Sequence, residues 1–251
     1  MTTYRLAGVE VPRIGLGTNR LTTENVAFVR EAVAAGVRHI DTAHLYTSGE
    51  SERAIGEALE GAAEDVLVAT KGGYKPGEGR PEVLRAQIEQ SLRALRTEAI
   101  GLYYLHRVDP ETPLEESLGA IQAYVDRGAI RHVGLSNVTV AEIKSGREVV
   151  PIAAVQNRYS VDDRRHDDVV EFCERERIPF VSYFPLRGGG GPGVAAAAAR
   201  LGVTENAVKL AWLLRRSPVV LPIPGTLSIE HLRENLAAVE LDLGDADDIA
   251  A

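Results

Sequence analysis

The sequence predicts a closed α/β barrel, and three observations carry that expectation. Eight apolar, strand-like runs alternate strictly with eight amphipathic helical patterns along 251 residues. Strict alternation calls for parallel strands joined by crossover helices. Eight such units in a chain of about 250 residues match closure into one (β/α)8 TIM barrel rather than an open sheet. Finally, Asp41, Lys71 and His106 each end an apolar run, at the strand ends where such barrels do their chemistry. The whole chain, 1–251, is expected to be a single barrel domain.

The elements follow in order. Residues 4–12, Tyr-Arg-Leu-Ala-Gly-Val-Glu-Val-Pro, read as a short hairpin that plugs the N-terminal mouth of the barrel. The strands are then expected at 13–17, 37–41, 66–71, 100–106, 131–136, 153–156, 178–183 and 219–223. The helices between and after them are expected at 23–35, 50–60, 81–95, 114–127, 139–148, 165–177, 204–216 and 228–238. In the first helix, Val26, Val29 and Val33 keep near-helical spacing, and Gly36 supplies a C-cap. In the third, Leu84, Ile88, Leu92 and Leu95 form one buried stripe, and Pro81 suits the first turn. Gly128 closes the fourth helix in the same manner as Gly36. Beyond the seventh strand, residues 187–193 read as a glycine-rich flap over a ligand, followed by an extra alanine-rich helix at 194–200.

Composition narrows the function classes. The formal net charge is −8 and no basic run stands out, which argues against non-specific nucleic-acid binding. No apolar stretch reaches the ~18 residues of a membrane span, and the N-terminus lacks the apolar core of a signal peptide. A single cysteine, Cys173, forms no internal disulfide, as fits a reducing compartment. The expected setting is the cytoplasm, with a monomer as the default state. His44, His106, His132 and His166 show no metal-ligand spacing with cysteine or carboxylates, so no metal is expected.

The chemistry is legible at the strand ends. A charged lysine inside a barrel is costly unless paired, and Asp41 is the natural partner for Lys71. Tyr46 lies five residues beyond Asp41. An ordinary phenol titrates near ~10, too high for efficient proton transfer at neutral pH. A neighbouring ammonium is expected to stabilise the phenolate, lower that pKa and make Tyr46 a general acid or base. His106 would donate a hydrogen bond to a substrate oxygen. Four compatible groups after three consecutive strands define a proton-transfer site.

At this point the chain resembles the aldo-keto reductase family. Ile40-Asp-Thr-Ala-His-Leu-Tyr46 looks like its Asp-Thr-Ala-x-x-Tyr motif, and 48–59 match the helix that follows. Ala69-Thr-Lys71 and Leu102-Tyr-Tyr-Leu-His106 match the next two signatures. Gly134-Leu-Ser-Asn137, Gln156-Asn-x-Tyr159 and Ile223-Pro-Gly-Thr226 with Glu234-Asn235 complete the series, which runs from Gly15-Leu-Gly-Thr18 to Ala238. The resemblance implies hydride transfer from a reduced nicotinamide cofactor, NADPH, to an aldehyde or ketone, with Tyr46 protonating the oxygen. It further implies that Ser136, Asn137 and Gln156 bond the nicotinamide carboxamide and that Tyr183 stacks on the ring. Leu186 and Gly188 would meet the pyrophosphate under the flap. The implied cofactor set also takes in Gly17, Thr18, Ile223, Gly225, Thr226, His231, Glu234 and Asn235.

Three departures refine these expectations. Where many NADPH-preferring relatives have a Lys-Ser pair and an arginine, this chain has Gly225, Thr226 and His231. Weaker charge-assisted phosphate binding follows, and with it looser discrimination against NADH. About sixteen residues follow Asn235, whereas larger relatives carry a C-terminal loop over the pocket, so an open site is expected. Asn19 and Arg20 stand where an aromatic is common; Arg20 offers a charge for an anionic substrate but reads first as an exposed surface arginine, and Arg107 and Arg187, which both follow barrel strands, are read in the same way. The segments 156–159, 183–190 and 223–226 look closest to a compact bacterial branch that includes pyridoxal reductase-like proteins, which makes pyridoxal a candidate substrate. Two other readings compete: a Schiff-base aldolase built on Lys71, and a non-catalytic, cofactor-binding regulatory subunit.

Overall fold

A computed structural model describes residues 2–61, 65–244 and 249. Strands β1 (Thr3–Leu6) and β2 (Val9–Pro12) form the antiparallel hairpin. Eight strands then pair in sequence order, each parallel to the next: β3 (Leu16–Gly17), β4 (His39–Asp41), β5 (Leu67–Gly72), β6 (Leu102–Leu105), β7 (Val133–Ser136), β8 (Ile152–Arg158), β9 (Phe180–Tyr183) and β10 (Val220–Pro222). The sheet curls back on itself at a seam between its first and last strands. Gly15 N–H donates to Pro222 O at 3.0 Å and Gly17 N–H to Pro224 O at 3.2 Å. Gly17 is required there, because a Cβ at this position would lie 2.7 Å from Ile223 O.

The crossovers are α1 (Val26–Ala34), α2 (Glu50–Leu59), α3 (Pro81–Ala94), α4 (Leu114–Asp126), α5 (Val140–Arg147), α6 (Asp167–Glu176), α7 (Gly191–Leu201), α8 (Glu205–Arg216) and α9 (Ile229–Ala237). All eight expected strands and eight expected helices are present within a few residues. One boundary is corrected. The extra helix begins at Gly191 rather than at 194, so part of the expected flap is helix. Pro192 fixes a helical φ in that first turn, where its missing N–H costs nothing. The stretch 244–251, polar and alanine-rich in sequence, lies almost wholly outside the described residues.

Side-chain alternation sorts each strand between two cores. On β6, Tyr103 and Leu105 face the helices, while Leu102 and Tyr104 face the barrel axis. On β5, Leu67 and Ala69 face the axis. Leu6 and Val11 of the hairpin join Leu67, Leu102, Val181 and Leu221 in this axial cluster, which closes the N-terminal mouth. Burying such side chains stabilises by about 1.5–3 kcal/mol each. Continuing the alternation by two residues carries Lys71 and His106 to the axis at the opposite, C-terminal mouth. Among the described residues, no helix is long and apolar enough to cross a membrane.

Candidate active site

The C-terminal mouth opens into a cleft of about 680 Å³. On its floor the Lys71 ammonium donates to Asp41 Oδ1 at 2.5 Å and to Thr42 O at 2.7 Å. Both side chains of this ion pair are shut off from solvent, at 0% and 2% exposure. The second carboxylate oxygen is taken as well: Gln156 Nε2 donates to Asp41 Oδ2 at 2.8 Å. A buried pair holds only when its remaining valences are satisfied, and here Thr42 and Gln156 satisfy them. Burial pushes the Lys71 amine down, but Asp41 and Tyr46 outweigh it and leave the pKa above its ordinary value.

Tyr46 stands over this pair, with the Lys71 nitrogen 5.1 Å from its ring centroid. Here the sequence expectation needs correction. Burial raises the phenol above its ordinary pKa of 10, and the Lys71 charge and hydrogen bond recover only part of that rise. The low-dielectric surroundings penalise a phenolate more than one ammonium, itself shared with Asp41, relieves. Tyr46 is therefore a neutral phenol at physiological pH, carrying the proton.

The His106 ring meets the Tyr46 ring edge-on, with centroids 6.3 Å apart, and lies 4.8 Å from the Tyr74 ring. Burial, then the charges of Lys71 and Arg107, drive its pKa down to about 2, so the imidazole is neutral. Its buried Nδ1 has no hydrogen-bond partner among the described residues. One layer lower on the axis, His39 is fully buried, with both ring nitrogens unpartnered and a pKa lowered by burial to about 4.

The loops that present these groups are strained. Thr47 and Ser48 follow Tyr46 with φ of 46° and 55°, Asn137 follows Ser136 with φ of 59°, and Phe184 follows Tyr183 with φ of 51°. Left-handed backbone outside glycine costs roughly 1–2 kcal/mol per residue and clusters where geometry is held for a purpose. Asn137 holds the far wall: Tyr183 Oη donates to its Oδ1 at 2.5 Å, and its Nδ2 donates to His106 O at 3.0 Å.

Of the residues expected from the sequence, Gly17, Thr18, Asp41, Tyr46, His106, Ser136, Asn137, Gln156, Tyr183, Leu186, Ile223 and Gly225 line this one cleft. Lys71 lies directly beneath it. The others lie apart. Gly188 borders a neighbouring recess, where its carbonyl accepts from Lys209 Nζ at 2.8 Å. A Cβ there would fall 1.9 Å from Asp162 Oδ2. Glu234 borders an apolar recess and accepts from Thr204 Oγ1. Thr226 and Asn235 are buried, while His231 is exposed in the first turn of α9, whose N-cap is Ser228. Beside it, Glu230 accepts from Ser228 Oγ at 2.7 Å. The sequence reading missed Leu45, Tyr74, Arg158 and Phe184 as lining residues; Arg20, Arg107 and Arg187, read first as surface groups with a charge for an anionic substrate as the alternative, line the same cleft. Tyr74 and Phe184 follow β5 and β9, so the strand-end rule that found His106 also points to them.

Fold and cleft together define a parallel α/β-barrel protein with a buried acid–amine pair beneath a phenol and a neutral imidazole at its C-terminal mouth. The model of the Aldo/keto reductase family matches residues 13–193 and 191–251. The chain belongs to that family. It is 35% identical to an uncharacterized oxidoreductase of Schizosaccharomyces pombe, covering 96% of this chain and 86% of that protein. It is 34% identical to pyridoxine 4-dehydrogenase of Escherichia coli, covering 97% and 94%. Among solved structures, a thermostable aldo-keto reductase in complex with the inhibitor epalrestat superposes with a TM-score of 0.90 at 32% identity, covering 98% and 96%. An aldo-keto reductase of Klebsiella pneumoniae in complex with NADP and acetate superposes at 0.87 with 30% identity, covering 97% and 92%.

Proposed function

We propose that this protein is an NADP-dependent oxidoreductase that reduces an aldehyde or ketone to an alcohol, with Asp41, Tyr46, Lys71 and His106 as its catalytic set. The observation that carries this reading is the protonated Tyr46 phenol held above the buried Lys71–Asp41 pair, beside a neutral His106. The donor set suits a nicotinamide: the Ser136 hydroxyl and Gln156 amide, each 1% exposed, lie at the cleft floor with the Tyr183 ring as a wall. When bound, the reduced cofactor supplies the hydride.

The chain's own residues do the rest. Tyr46 Oη gives its proton to the substrate oxygen, and Lys71 stabilises the negative charge left on the phenol. Asp41 keeps the Lys71 nitrogen aimed and charged. His106, neutral throughout, aligns the carbonyl oxygen through an imidazole N–H. Leu186 and Gly188 would hold the pyrophosphate. Gly17, Thr18, Asn137, Ile223 and Gly225 in the cleft, with Thr226, His231, Glu234 and Asn235 beyond it, would complete the set that holds the cofactor. Similarity to pyridoxine 4-dehydrogenase makes pyridoxal a substrate to test first. The protein acts as one barrel domain, as a monomer in the cytoplasm, with NADH as a second, poorer cofactor.

The Schiff-base alternative fails on charge. That chemistry needs a neutral amine, whereas Lys71 is an ammonium engaged by Asp41 and Thr42. The test of the reductase reading is NADPH oxidation against small aldehydes, α-dicarbonyls, sugars and pyridoxal, run beside Tyr46→Phe. We expect kcat to fall by about 10³-fold in the variant, with the cofactor Kd within about twofold. Equal turnover by both proteins would overturn the assignment of the proton donor, and no turnover of any carbonyl would overturn the activity.

A further inference from the structure

The cleft is positively charged in a chain that is formally −8. Arg20, Arg107, Arg158 and Arg187 line it against one carboxylate, Asp41, which Lys71 already neutralises. Three of these arginines are placed for different tasks. Arg187 adjoins Gly188 at the proposed pyrophosphate end. Arg20 adjoins Asn19, whose Oδ1 lies 3.6 Å from the Cβ position of Gly225, one of the proposed cofactor contacts. Arg158 is paired with Asp163 at 2.9 Å. Arg107 has neither a carboxylate nor a place at the pyrophosphate end. It follows His106 directly, it is exposed, and it has no carboxylate partner among the described residues.

Its position is nevertheless fixed. The guanidinium lies 4.6 Å from the Tyr74 ring centroid, and an amino group donates to Tyr74 Oη at 3.4 Å. Tyr74 in turn packs on the His106 ring. An arginine stacked on an aromatic keeps the outer edge of its donor fork free for a carboxylate or phosphate. Around it the wall is apolar. Four large apolar side chains are exposed among the described residues, Leu45, Tyr74, Phe184 and Leu227, and the first three line this cleft. Exposed aromatic surface gathered at one concave site marks a ligand face.

We propose that Arg107 is a specificity-determining residue, and that the substrate is a carbonyl compound with a flat apolar body and an anionic group, carboxylate or phosphate. The carbonyl sits at Tyr46 and His106, the body lies against Tyr74 and Phe184, and the anion reaches the Arg107 guanidinium. This inference rests on the reductase reading above and deepens it.

Two pairs of aldehydes test it: para-carboxybenzaldehyde against para-formylbenzamide, and para-formylphenyl phosphate against para-methoxybenzaldehyde. In the first pair the amide withdraws electrons more strongly than the carboxylate, so intrinsic reactivity favours the neutral member. We expect the wild-type enzyme with NADPH to show a higher kcat/KM for the charged member of at least one pair, by about tenfold or more, ~1.4 kcal/mol. The pair that responds tells carboxylate from phosphate. Arg107→Gln should lower that charged-to-neutral ratio at least tenfold, and Arg107→Lys should restore part of it, which a purely structural role would not do. Added salt should depress turnover of the charged aldehyde more than that of the neutral one. Turnover of both pairs without a charge preference, or the same ratio in wild type and Arg107→Gln, overturns this proposal alone. No turnover of any aldehyde overturns the reductase reading and this proposal with it.

Discussion

Gln156 and Asp41 meet on the barrel axis, amide to carboxylate at 2.8 Å, although 115 residues separate them in the chain. The contact ties the second half of the barrel to the ion pair of the first half, and it leaves neither Asp41 oxygen free. Asp41 is therefore held from two sides, and the direction of the Lys71 ammonium follows from it.

Removing one member of that pair should be costly. Lys71→Met strands a buried carboxylate, and we expect a loss of about 3–5 kcal/mol in unfolding free energy by urea titration. Adding Asp41→Asn keeps an acceptor for Gln156 but removes the stranded charge, and should recover at least half of the loss. A double variant no more stable than the single one would show that Asp41 is not the source of the penalty.

The pH profile of reduction should be flat through neutrality. Tyr46 must hold its proton to donate it, and its pKa lies above 10, so kcat falls only on the alkaline side. His106, with a pKa of about 2, stays neutral over the same range and adds no break near its ordinary pKa of 6.5. In the oxidation direction the sign reverses, because the phenolate is then the useful form and the rate climbs with pH. An inflection in that neutral region that disappears in His106→Asn would contradict this picture.

Acid should weaken the fold through His39. Its pKa is about 4 when folded and about 6.5 when unfolded, so the unfolded chain binds the proton first. The stability that depends on a neutral His39 is complete above about pH 6.5 and drains away as the pH falls toward about 4. Between pH 7 and pH 5 this amounts to about 2 kcal/mol. His39→Leu should remove that share of the pH dependence in urea melts at the two pH values; an unchanged dependence would mean that the side chain is hydrated when folded.

Cofactor selectivity should be modest. The first turn of α9 presents Glu230 and His231 rather than a pair of fixed cations, and the Ser228 hydrogen bond keeps the Glu230 carboxyl below its ordinary pKa, hence charged. We expect NADPH to exceed NADH in kcat/KM by less than about 1,000-fold, ~4 kcal/mol. Glu230→Gln should widen the gap in favour of NADPH. A wild-type preference beyond that limit would mean that the phosphate is bound elsewhere.

Much of this protein is written locally in its chain. The eight strands and their helices are legible because hydrophobic periodicity is a property of neighbouring residues, read at spacings of two and of three to four. Asp41, Lys71 and His106 are legible because each ends such a run. Most of their partners are not. The start of α7 is hidden by glycines at 191 and 193, whose composition reads as loop while Pro192 begins a helix between them. The sign of the Tyr46 shift is not legible either: a charge partner can be inferred from sequence, whereas the depth of burial that outweighs it cannot. That Gln156 meets Asp41, that Arg107 lies on Tyr74 and that Gly17 closes the seam against Ile223 are decided only in three dimensions. Periodicity fixes which way a side chain faces along its own strand; closing the cylinder fixes which strand ends stand side by side, and that is a relation between residues far apart in the chain.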